Sequence, residues 1–215
     1  MTGATVEDRA IAGLLAAAWL ACYESISDMA RLAPTARLGL DVARWSLVLI
    51  PWVDAVDAAV DAEELEARVL PIQRAFTEFS LHVAPRTWGE AVLKTWLMVG
   101  AGEDLMRLTG EHWPAGAKEL AGQAVSRPLA EPLREVLFDL AGDQQEQWRL
   151  GLFGRRVIAE ATAQCQRIAA RQPELAGALL DVEEGSLDEL SGTTQLIADL
   201  VEGAAQRMLE LGLQP

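Results

Sequence analysis

Histidine is scarce in this chain: His82 and His112 are the two found in 215 residues. Neither stands three residues after a carboxylate, because Phe79 and Thr109 occupy those offsets. A di-iron site inside a helical bundle needs Glu-x-x-His on two helices, since that spacing aims both ligands from one helical face. The pattern occurs nowhere in the sequence, so no such centre and no cofactor are expected. Cysteine is equally sparse. Cys22 and Cys165 each lie in an Ala-rich helical stretch and read as buried, reduced thiols rather than as a disulfide. A Gly-rich phosphate loop, a Gly-x-Ser-x-Gly elbow and a Cys-x-x-Cys pair are all missing. So is any uninterrupted apolar run of about 18 residues, and no membrane span is expected. The opening residues carry Glu7 and Asp8 instead of a basic signal-peptide start, which makes the cytoplasm the expected location.

Positive charge is also in short supply. Lys and Arg total 18 against 32 Asp and Glu, a net charge of −14. That balance repels nucleic-acid phosphates and anionic lipid, so neither is an expected partner. The local group Arg149, Arg155 and Arg156 reads as solvated arginines near a helix start.

Ala and Leu are abundant, while Val-Ile-Thr runs of strand character are few, which favours helix. Thr5 is placed to cap a first helix carrying Leu15, Trp19, Tyr23 and Ile26 at helical spacing and ending at Pro34. Thr35 starts a second, with the stripe Val42, Trp45, Leu49, Trp52, Val53 and Val56 and a kink expected at Pro51. Asp61 is expected to cap a third stretch through Leu65, Val69, Ile72, Phe76 and Phe79, bent at Pro71 and broken at Pro85. Thr87 caps the next, where Val92, Trp96, Val99 and Glu103 share a face. After a loop over 110–116 the helical pattern resumes, with interruptions expected at Pro128 and Pro132. A long helix then runs through Val157, Ala161, Cys165 and Ile168. Pro173 opens a short helix and Ser186 opens the last one. The expected architecture is all-α, a single domain over 1–215.

Several stretches resemble a family of actinobacterial ferritin-like proteins related to the MiaE-type di-iron tRNA hydroxylase. They are Leu14-Leu15-Ala16, Arg31-Leu32-Ala33-Pro34, Ala84-Pro85 with Thr87-Trp88, and Leu152-Phe153-Gly154-Arg155-Arg156-Val157-Ile158 followed by Glu160, Gln164 and Gln166-Arg167. The resemblance implies a ferritin-like four-helix bundle with additional C-terminal helices. It also implies where metal ligands would fall: on Trp19, on Leu49 and Trp52, on Val99, and near Gly122 and Val125. Indole and aliphatic groups cannot replace carboxylate and imidazole. The resemblance thus implies a scaffold without its metal.

Two fates are open for the emptied centre. Trp19, Trp52 and Trp96 can close the bundle as ordinary core, or the indoles can wall a cavity for an apolar small molecule. In the second case Trp19, Trp45, Leu49, Trp52, Trp96 and Val99 are the expected binding residues. Tyr23 would be a hydrogen-bond donor and Glu103 an acid–base group raised by apolar surroundings. The corresponding function is a cofactor-independent cyclase or isomerase that works by fixing a reactive conformer. The alternatives are a di-iron hydroxylase, by resemblance alone, and a non-catalytic helical protein that docks partners or forms a homodimer.

Overall fold

The computed structural model describes residues 5–59, 62–125 and 129–215. The helices are α1 (Val6–Leu32), α2 (Ala36–Ser46), α3 (Ile50–Ala59), α4 (Ala62–His82), α5 (Trp88–Thr109), α6 (Ala115–Val125), α7 (Ala130–Ala141), α8 (Gln144–Arg171), α9 (Pro173–Leu180) and α10 (Leu187–Glu210). No strand occurs among the described residues. The all-α expectation holds.

Most helix starts follow from local chemistry. Thr5 and Asp8 form a reciprocal capping box, with 3.1 Å from Asp8 N–H to Thr5 Oγ1 and 3.1 Å from Thr5 N–H to Asp8 Oδ2. Thr87 and Glu90 do the same for α5. Thr35, Asp143 and Ser186 each accept a hydrogen bond from the backbone three residues on. Each such cap satisfies an amide that the first turn would otherwise leave unpaired.

The prolines behave less uniformly. A 3-10 turn, Leu47–Leu49, separates α2 from α3, so the chain breaks just before Pro51. Pro71 lies inside α4 without ending it. The interruption expected at Pro132 does not occur. That residue sits in the first turn of α7, where a missing N–H costs the helix nothing. The expected cap Asp61 and break at Pro128 lie outside the described residues, as do the side chains of Val53, Val56, Leu65 and Val125.

Four helices make the central ring. α1 packs on α4 and α5, and α8 packs on the same two. α4 and α5, joined by the short connection 83–87, therefore face each other across the ring. α7 and α10 lie over α5 and α8, α9 bridges α1, α8 and α10, and α6 rests on α1 and α3. By length and composition α1 is apolar enough to cross a membrane, with mean hydropathy 1.4 over an 18-residue window, but 72% of that window is buried inside the fold. Here it is the central core helix. The buried apolar residues join into one continuous cluster from Ala10 to Leu213.

Candidate functional site: a cavity between the helices

The first half of α5 is solid core. From Trp88 to Leu97 every residue is buried, against Leu133 and Leu137 of α7, Leu150 of α8 and Met208 of α10. Beyond Leu97 the interior opens. A cavity of about 740 Å³ lies between α1, α5 and α8, with α9 and the middle of α10, from Thr193 to Ala204, as its outer wall. Its lining is mainly Leu, Ile, Val, Ala and Met, with Phe76 and Phe79 contributed by α4.

Four of the residues singled out in the sequence meet here. Trp19 and Trp52 lie side by side in the wall, ring centroids 5.5 Å apart and planes tilted by 38°. That geometry suits the indole quadrupoles. Val99 and Glu103 follow one turn apart on α5. Burial pushes the Glu103 carboxyl up; Arg207 pulls it down and Asp104 pushes it up further, and the net shift is upward.

The other four do not line the cavity. Tyr23 is 55% exposed on the surface of α1, because the inward line of that helix runs through Trp19, Cys22 and Ile26. The hydrogen-bond role expected of it is therefore withdrawn. Trp45 is half-buried on α2, and Leu49 is buried in the 3-10 turn. Neither is among the residues lining the cavity, although Leu49 belongs to the same buried cluster as Trp52. Trp96 is buried in the solid part of α5, short of the opening. Gly122, another position implied by the resemblance, is exposed on α6.

Next to Glu103, Asp104 binds two arginines: Oδ1 accepts from Arg107 at 3.2 Å and Oδ2 accepts from Arg207 at 2.5 Å. Burial alone would raise the Asp104 carboxyl, but the hydrogen bonds and charges of Arg207 and Arg107 outweigh it and hold it below the usual aspartate value. This cluster ties α10 to α5. The helices approach so closely there that a Cβ on Gly100 would strike Arg207, and one on Gly203 would strike Asp104. Glycine at both positions leaves room for the ion pair; a larger residue would have to push the Arg207 and Asp104 side chains out of their present places.

Both thiols face the cavity, and both are free. Burial pushes Cys22 up to about 12 and Cys165 up to about 11, so each stays protonated and unreactive.

Sequence reasoning missed two features of the cavity. One is the wall supplied by α10, including Leu196, Ile197, Leu200 and Val201. The other is Gln164, which interrupts the inward series Val157, Ala161, Ile168 with a buried amide. That polar break in an apolar period was the available signal. Lys94, buried on α5 with Nζ donating to Ser80 Oγ at 3.3 Å, also went unnoticed.

The donor set does not fit a di-iron centre. Glu103 is the one carboxylate among the cavity-lining residues, and histidine is not among them. Among the described residues no group of three or more His, Cys, Asp or Glu side chains is placed to hold a metal ion. Such centres need several carboxylates and imidazoles converging on one point.

No curated protein matches the chain. A family model described as a ferritin-like domain of actinomycetes matches residues 4–182, ending before α10 begins. With most of its length so matched, and with the all-α bundle described above, the chain belongs to the actinomycete ferritin-like domain family.

Proposed function

We propose that this protein holds an apolar small molecule in the cavity beside Trp19 and Trp52, and that Glu103 moves protons on it in a cofactor-independent isomerisation or cyclisation. The observation that carries the reading is the cavity itself: about 740 Å³ of interior with aromatic and aliphatic walls. Spaces of that size and lining between helices suit ligand binding. Protonated Glu103 gives its proton to the ligand, and the resulting carboxylate takes a proton back from another ligand atom. A double bond shifts or a ring closes with atoms and electrons conserved, and no oxidant or reductant enters. On this reading the ligand positions of MiaE-type relatives have been given over to Trp19, Leu49, Trp52 and Val99. The bundle then works by enclosing and orienting its substrate.

Diphenylhexatriene, a hydrocarbon that fluoresces only in apolar surroundings, tests the first half. Saturable one-to-one binding with quenching of tryptophan emission is expected, weakened in Trp52→Ala. A protein that takes up no probe, or that is isolated with near-stoichiometric iron, would sink the proposal. The acid–base half is read from the pH dependence of turnover once a substrate is in hand, with Glu103→Gln inactive.

A second reading has one observation in its favour. Trp148 and Leu152 on α8 lie one turn apart and are 70% and 65% exposed. Paired apolar residues on one helical face suit docking against a second copy. Mass by light scattering over a concentration series separates a dimer from a monomer.

A further inference from the structure

Charge is confined to one stretch of the cavity wall. Glu103 and Arg107 are the charged residues among the described residues that line it, and they follow one turn apart on α5. On α8, by contrast, the polar groups bond within their own helix. Thr162 Oγ1 donates to the Ile158 carbonyl at 2.8 Å, and Gln164 Nε2 donates to Glu160 Oε1 at 2.7 Å. Arg107 is also the one exposed residue among the described residues lining the cavity, its side chain 65% accessible, so the interior meets solvent there. It is one of two cations around a single ionised carboxylate. Asp104, held below the usual aspartate value, accepts from Arg107 Nη2 at 3.2 Å and from Arg207 Nη1 at 2.5 Å. With Glu103 protonated, as its burial favours, this group carries one positive charge in surplus, within a chain of net charge −14. The contact to Asp104 engages one nitrogen of a guanidinium that has five N–H donors, and Arg207 keeps Asp104 paired when Arg107 turns away.

We propose that the cavity takes a carboxylic acid with an apolar body, whose ionised head sits at the opening against Arg107 while the body lies among the aliphatic and aromatic walls. The inference rests on the cavity reading above and narrows it to a class. A carboxylate matches the edge of a guanidinium and accepts its N–H donors in pairs. It can also accept a hydrogen bond from the Glu103 carboxyl, one turn away. Its single charge equals the surplus on the cluster, whereas a phosphate monoester, at about −1.5 to −2, would exceed it. Because Arg107 stands at the solvent boundary, the head stays partly hydrated and avoids the full cost of burying a charge.

The test uses dodecanoic acid and its methyl ester, alike in the body but differing in charge, each displacing diphenylhexatriene. In Arg107→Gln the ratio of acid to ester affinity falls about fivefold, the upper range for a charge pair at a solvent boundary. Diphenylhexatriene itself binds that variant within about twofold of native. Comparing ratios between proteins cancels the intrinsic hydrophobicity of the probes. Arg107→Lys keeps the charge and retains most of the ratio; a loss of equal size in both variants overturns the inference. Should Arg107→Gln not fold, the native protein serves, since its ratio shrinks as salt is raised to about 1 M. A ratio that holds in Arg107→Gln, or failing that variant in high salt, with the hydrocarbon probe still bound, overturns the inference and leaves the cavity reading standing. Failure of the hydrocarbon probe to bind at all removes the cavity reading, and this inference with it.

Discussion

The two halves of α5 have similar residues and opposite surroundings. From Trp88 to Trp96 the helix is sealed against α7, α8 and the end of α10; from Leu97 to Arg107 it borders the cavity. Hydrophobicity does not distinguish them. What differs is the layer outside. At the sealed end Met208 and Leu93 meet at Gly154, Leu150 closes on Gly89, and α7 packs there with the fully buried Leu133 and Leu137. At the hollow end the lining from α8, α9 and α10 mixes the short Ala161, Ala169, Ala176 and Ala204 with larger residues such as Ile168, Leu179 and Leu200, and the space between them stays open. Close packing is the rule in protein interiors, and the hollow end departs from it.

The contrast predicts unequal costs for the same truncation. Leu93→Ala at the sealed end should cost about 3 kcal/mol in urea denaturation, the usual range for a fully packed site. Leu200→Ala at the hollow end should cost under about 1 kcal/mol, since its side chain has less to lose. Equal costs would erase the distinction.

The clamp between the two regions comes next. Asp104→Ala strips the partner from Arg207, whose side chain is 18% exposed, and should cost about 2 kcal/mol, somewhat less than a fully buried pair. Because the folded Asp104 carboxyl sits below the ordinary value of 3.8, its contribution is present above that pH and is lost as the pH falls through it. The native protein should therefore lose Tm faster than Asp104→Ala on acidification.

Filling the gap sharpens the contrast from the other side. Ala161→Trp should weaken diphenylhexatriene binding about tenfold or more, roughly 1.4 kcal/mol, while leaving the urea midpoint near native. A large loss of stability instead would mean that the region is already full.

The smallest effect is on Glu103. Its folded carboxyl lies above the ordinary 4.5, so the stability linked to it is present at low pH and is lost as the pH rises through the folded value. Glu103→Gln should remove that decline, by under about 1 kcal/mol, and flatten Tm against pH from 4.5 upward.

Much of this architecture could be read before any coordinates. Thr5, Thr35, Thr87, Asp143 and Ser186 begin their helices because their side chains meet specific backbone amides, a local chemistry visible in sequence. Pro132 misled because proline's effect depends on its place in the turn. The site was half legible. Period shows that Trp19 and Trp96 both point inward, but it carries no information on whether the inward space at each height is filled. That depends on partners distant in the chain, such as Leu133 opposite one stretch and Ala161 beside the other. Trp45 is a further case: the 3-10 turn Leu47–Leu49 interrupts the single helical period on which its place beside Trp52 was read.

The attachment of α10 has a consequence for how this chamber can change. Its second half is pinned by Arg207, Asp104 and the two glycines, and by Met208 set against Gly154. Its first half carries no buried residue, and Thr193, Leu196 and Ile197 there line the cavity. Substitutions in that free stretch can resize the pocket without disturbing the joint that holds the helix in place. A single helix thus combines a fixed post with a stretch of wall that sequence change can reshape.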